Sequence, residues 1–171
     1  MTDEASTRNE TTVTTRGEAE VRIERVFDFP RDLVWEAHTD PALLSQWLGP
    51  RRLTMTVEEM EVRPGGSYRY IHTADDGSGP FVFFGEFTEV EPPRLLAQTF
   101  QFEGNEHEPA VDRLELEELD GGRTRLVATS ALPSPEAREA MLESGMETGV
   151  REGYEKLDEL LARQHGESAL G

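Results

Sequence analysis

The sequence predicts an α+β fold, and three observations carry that reading. Runs of alternating apolar and polar residues recur between Glu20 and Ser130, the two-residue period of half-buried strands. Apolar residues at helical spacing follow the first run and return at the C-terminal end. No strand–helix–strand alternation lies between, so the strands read as an antiparallel meander with helices at its start and end. A chain of 171 residues suits one domain with its own core.

The elements follow in order. Residues 1–18 are Thr- and Glu-rich, with Val13 their one large apolar residue besides the initiator Met1; too little surface can be buried to offset chain entropy, so a disordered tail is expected. EVRIERVFDF opens the domain as a strand that Pro30 stops. Leu33, Val34 and Ala37, then Leu43, Leu44 and Trp47 beyond the Thr39-Asp40-Pro41 cap signal, predict two short helices ending at Gly49-Pro50. Strands are expected over Leu53–Val62, Ser67–Thr73, Phe81–Val90, Leu95–Phe102, Val111–Leu119 and Thr124–Ser130. A polar loop, Glu103 to Glu108, precedes the fifth of these, and Asp120-Gly121-Gly122 turns the last two into a hairpin. Ser134 is placed as N-cap and Pro135 at the first turn of a helix running to about Gln164. Its stripe of Met146, Val150, Leu157, Leu160 and Leu161 faces a core. The domain thus spans 19–165, with 166–171 a flexible C-terminus.

Composition excludes several classes. There is no cysteine, hence no disulfide framework, thiolate metal site or thiol catalysis. The formal net charge of −18 repels polyanions, so neither nucleic acid nor an anionic membrane is expected as a partner. The N-terminus lacks a signal-peptide pattern and no stretch suffices to span a bilayer, which predicts a cytoplasmic protein without membrane insertion. His38, His72, His107 and His165 lie at no ligand spacing, and Gly65-Gly66 precedes a strand without the lysine of a phosphate loop. No metal and no cofactor is expected.

Four patches resemble the START-like, or SRPBCC, superfamily, in the branch similar to the C-terminal domain of the activator of the 90-kilodalton heat-shock protein ATPase. They are VRIERVFDFPRDLVWEAHTDPALLSQWLGP, RPGGSYRY, FFGEFTEVEPPRLLAQTF and GMETGVREGYEKLDELL, and together they span about Val21 to Arg163. The resemblance implies a helix-grip (Bet v 1-like) architecture: a curved sheet of about six or seven strands wraps the long C-terminal helix and leaves a cavity. Members include lipid carriers, polyketide cyclases and aromatases, antibiotic self-resistance proteins and co-chaperone domains, so the resemblance implies an architecture rather than a reaction.

Candidate walls of such a cavity follow from periodicity. Tyr68, Tyr70 and His72 share one strand face, Phe83 belongs to a second set, and Gln98 with Phe100 to a third. Trp35 and Trp47 sit on the early helices, while Met146, Gly149, Val150, Gly153 and Tyr154 occupy the last helix. Such aromatic stripes build cores as readily as pockets. Polar residues among them need partners. Gln98 is placed to orient a carbonyl or hydroxyl, and Asp112, on the face of Leu114 and Leu116, needs a cation such as Arg69 or Arg113 if buried, a strand start open to solvent being the favoured alternative. His72 is the candidate acid or base, against the alternative of a satisfied structural histidine. Gly145, Gly149 and Gly153, at successive four-residue steps, each cost about 1 kcal/mol of helix propensity. Close packing is the first explanation and room for a ligand the second.

These features support binding or sequestering of an apolar small molecule, self-resistance to an antibiotic being one version. The alternatives are a polyketide cyclase or aromatase-type enzyme and a co-chaperone-like module in stress response with a chaperone partner. Free sheet edges also permit a homodimer.

Overall fold

The computed structural model describes residues 10–104 and 108–170, with side chains in the final helix described through residue 166. The first strand, β1 (Thr12–Arg16), pairs antiparallel with β2 (Glu20–Phe27). This corrects the expected tail of residues 1–18. A short Thr-rich strand needs no core of its own when it satisfies the free edge of β2, and half-buried Val13 and Thr11, whose Oγ1 accepts from Arg25 Nη1 at 3.0 Å, add anchors. Residues 1–9 lie outside the described residues.

Helices α1 (Arg31–Thr39) and α2 (Pro41–Leu44) follow, the Asp40 side chain accepting from Ala42 N at 2.9 Å as the cap signal predicts. Six strands succeed them: β3 (Leu53–Met60), β4 (Ser67–Ala74), β5 (Phe81–Glu91), β6 (Leu95–Phe102), β7 (Ala110–Leu119) and β8 (Arg123–Ala131). The centre of the polar loop before β7 lies outside the described residues. All pairings are antiparallel, in the order β1-β2-β8-β7-β6-β5-β4-β3, a sheet of eight strands against the six or seven expected. The fold is the helix-grip arrangement, with β2 crossing to pair with β8. Gly121 and Gly122, at φ +81 and +71, make the tight turn that sets the β7–β8 register.

The expected single C-terminal helix is two. Helix α3 (Pro135–Glu143) is capped by the Ser134 hydroxyl, which accepts from Ala137 N at 3.1 Å, and α4 (Met146–Leu170) starts beyond Gly145. At φ +87 Gly145 takes a backbone conformation that ends one helix and redirects the chain. Helix α4 also continues to Leu170, past the expected end near Gln164. Its Leu157, Leu160 and Leu161 are buried against the layer that includes Val21, Phe27 and Leu126. Each such side chain contributes about 2 kcal/mol of burial. Arg138 of α3 donates to the carbonyls of Arg16, Gly17 and Glu20, fastening α3 to the β1–β2 turn. No helix among the described residues is long and apolar enough to cross a membrane.

Candidate functional site

The β7–β8 turn and the β6–β7 register bring Ser130, Asp112 and Gln98 side by side across three strands. Gln98 in turn lies opposite Phe87, whose ring is 5.4 Å from that of Tyr68. With a period of two these side chains share the sheet face that carries Leu116 and Leu126 into the core, the face turned toward α4. Tyr154 of α4 meets it from the other side, packing edge-on against Phe27 at 5.7 Å and stacking with Trp47 at 5.8 Å.

Close approach of β5 and β6 depends on Gly85: a Cβ there would fall 2.1 Å from the Thr99 carbonyl oxygen. That same oxygen accepts a hydrogen bond from the Tyr68 hydroxyl, and Tyr68 is 1% exposed. Beyond it, Phe83 stacks on Phe100 at 5.2 Å and lies 5.2 Å from Phe102; all three rings are only half-buried.

Asp112 is the electrostatic centre of this face. Burial pushes its carboxyl up to about 6, and the Ser130 hydroxyl, donating to Oδ1 at 2.6 Å, acts in the opposite sense. The cations expected beside it are elsewhere. Arg69 pairs with Glu58 and Glu103, both at 2.7 Å, and Arg113 with Glu89 at 3.1 Å and Glu115 at 3.4 Å. The Ser130 hydroxyl is the only hydrogen-bond partner of the Asp112 side chain among the described residues. Burial, and secondarily the Asp112 charge, push the phenols of Tyr68 and Tyr70 up. Burial also pushes up that of Tyr154, where Arg25 opposes the shift and Asp112 adds to it. All three therefore remain neutral hydrogen-bond donors at physiological pH.

Tyr70 and Tyr154 are 6% and 7% exposed, yet their hydroxyls have no partner among the described residues. Neither hydroxyl is sealed off, and neither is the second oxygen of Asp112; the unpartnered buried polar atoms that are sealed off are Arg25 Nε, Arg31 Nε and His72 Nδ1. Three polar oxygens thus retain accessible surface among otherwise packed aromatic residues.

Other sequence candidates take different places. His72 is buried beneath the loop after α2, where a Cβ on Gly49 would come within 2.7 Å of its ring, and its edge meets Phe83 at 5.4 Å. Burial, with the charge of Lys156, pushes it down to about 4. It is a neutral packing histidine, and its closed-off Nδ1 gives the acid–base role no support. Gly149 and Gly153 admit that same loop rather than open space: a Cβ at Gly149 would meet Pro50 Cδ at 3.5 Å, and one at Gly153 the Trp47 carbonyl at 3.2 Å. Met146 and Val150 are half-buried on the first turns of α4. Val34 and Ala37 take the core-facing side of α1, leaving Trp35 half-buried to one side, with no ring contact to the inner face among the described residues.

Sequence reasoning missed Ser130, Thr99, Gly85 and His38. The signal for Ser130 was present, since counting seven residues back from Leu119 and seven on from Arg123 pairs Asp112 with Ser130. His38, pushed down to about 4 by burial, bonds the Val34 carbonyl through Nδ1 at 2.8 Å and packs on Trp47 at 4.8 Å. Two hollows lie away from the Asp112 cluster, the second of them where the inward-facing Arg25 of β2 meets α4. One, of about 310 Å³, flanks α3 at Pro135, Glu136 and Glu139, and the other, of about 450 Å³, lies between β1, Arg25 and Arg151. No group of His, Asp and Glu among the described residues is arranged to hold a metal.

A family model described as Activator of Hsp90 ATPase homolog 1-like protein matches residues 28–162. Among solved structures, a protein from Rhodobacter sphaeroides is 30% identical over 90% of this chain and 99% of its own, with a TM-score of 0.82. One from Arthrobacter aurescens is 30% identical over 89% and 91%, with a TM-score of 0.81. Protein Ms6760 from Mycobacterium smegmatis is 27% identical over 91% and 99%, also at 0.81. No curated protein matches the chain.

Proposed function

The chain belongs to the Activator of Hsp90 ATPase homolog 1-like family, and on that premise we propose that it binds a largely apolar small molecule between the inner face of the sheet and α4. The observation that carries this reading is the set of unpartnered yet accessible oxygens on Tyr70, Tyr154 and Asp112, beside the half-buried rings of Phe83, Phe100 and Phe102. Polar oxygens left free for a partner at the border of half-covered aromatic rings are the lining that a small-molecule site uses to orient its occupant. A ligand with an aromatic or alicyclic body and one or two polar groups supplies both kinds of contact.

Native mass spectrometry beside thermal shifts with lipids, polyketides and aromatic metabolites tests the reading. A ligand at a hundred times its dissociation constant stabilises by about 2.7 kcal/mol. Phe100→Ala should weaken such a ligand roughly tenfold by removing a buried contact. Lack of binding across the panel moves the function to a protein partner of the outer surface.

Asp112 favours a second reading, a cyclase- or aromatase-type enzyme. A carboxyl held near 6 beside neutral phenols is suited to take and return a proton during an aldol-type closure. In that case Asp112→Asn abolishes turnover of a substrate whose binding it spares.

A further inference from the structure

We propose that the ligand of this inner face carries a protonated amine, whose N–H groups donate to the free oxygen of Asp112 while its apolar body lies on the Phe83–Phe100 rings. The inference rests on the binding reading above and names the chemical class of its occupant. Asp112 has a burial cost that nothing in the protein offsets in full. Ser130 engages Oδ1 alone, no cation is paired with the carboxyl among the described residues, and Oδ2 stays accessible. The arginines of the neighbouring strands are committed elsewhere: Arg25 to Asp158 and Thr11, Arg69 to Glu58 and Glu103, Arg113 to Glu89 and Glu115. Among the described residues, the groups around the carboxyl on this face are the neutral Gln98 from β6, Tyr68 and Tyr70 from β4, Ser130 from β8 and Tyr154 from α4. The one cation whose charge also reaches Tyr154, Arg25, is paired with Asp158. A desolvated carboxylate without a counter-charge is a costly feature, and a partner that brings the missing cation recovers that cost on binding.

Two further observations favour an ammonium over a neutral or acidic head. Phe100 lies two residues beyond Gln98 on the same face of β6, and Phe83 stacks on it, so aromatic faces stand next to the acidic centre. The net charge of −18 concentrates cations at the molecule and repels fatty acids and other carboxylates.

The test uses three probes that share one apolar body: naphthylmethylamine, naphthylmethanol and naphthoate. Their dissociation constants are measured by calorimetry at pH 8, where Asp112 is ionised, in low and in physiological salt. The amine is expected to bind about tenfold tighter than the alcohol, the scale of one charge-assisted contact, and naphthoate weakest. Asp112→Asn should bring amine and alcohol within about threefold of each other, and a cooperative thermal unfolding transition shows that the variant is folded. Equal binding of amine and alcohol to the wild type overturns this inference and leaves the binding reading standing. An amine preference that survives Asp112→Asn assigns it to the surface field and likewise overturns the inference. Binding of none of the three overturns both.

Discussion

At the scale of single residues, the unbalanced Asp112 carboxyl has a thermodynamic signature. Its folded-state value of about 6 lies above the ordinary 3.8, so between those limits the folded protein binds the proton more readily than the unfolded chain. Its contribution therefore favours folding below about pH 4 and is lost as pH rises through 6. After discounting for partial exposure, roughly 1–2 kcal/mol is involved. His38 and His72 act in the opposite sense: both are held neutral near 4 from an ordinary 6.5, and stability drains away as pH falls through that interval. The difference between wild type and Asp112→Asn in urea denaturation isolates the carboxyl, and the wild type should gain on the variant between pH 7 and 4.5. A flat difference across that range refutes the shift. Alternation alone groups Tyr68 with Tyr70 and Gln98 with Phe100 and sets Asp112 on the face of Leu114 and Leu116, yet a solvent-facing strand start is the reading the sequence favours for Asp112. The expected counter-ions failed by the same rule. Arg69 and Arg113 sit at odd positions beside even inward ones, so they point to the outer face.

Among the elements, α3 and α4 show what spacing conceals. Gly145, Gly149 and Gly153 look alike in sequence, yet one breaks a helix and the other two accept a loop. Their alanine variants should therefore diverge. Gly145→Ala, at positive φ, should cost about 1–2 kcal/mol. Gly149→Ala meets Pro50 at an ordinary 3.5 Å and should stabilise by up to about 1 kcal/mol through helix propensity. Gly85→Ala would drive its methyl into the Thr99 carbonyl and displace the Tyr68 hydroxyl, at a cost of about 3 kcal/mol or more. Equilibrium unfolding of the three variants reads all of these, and equal effects of the Gly145 and Gly149 substitutions would contradict the break between the helices. Element type and order were readable because strand and helix periods differ clearly. The helix break was not, since backbone conformation at one glycine leaves no trace in apolar spacing.

For the whole molecule, charge and edges dominate. A net charge of −18 repels itself across a small domain, so raising salt from low to physiological levels should raise the melting temperature by screening. Removing residues through Gly17 would bare the β2 edge and take Thr11 from Arg25. That truncation should lower stability and promote self-association by edge pairing, visible in analytical ultracentrifugation. β1 was missed in the sequence because its stability comes from a neighbour rather than from its own apolar content.

The pairing of β2 with β8 also fixes an order of events during synthesis. Val21 meets Ser130 across about a hundred residues of chain, so the first hairpin leaves the ribosome long before its place in the sheet exists. Until Arg123–Ala131 has emerged, β2 has no second partner, and until α3 follows, Arg138 cannot fasten the β1–β2 turn. The β1–β2 hairpin is thus made before every strand it will join and is seated only once β8 and α3 have followed it.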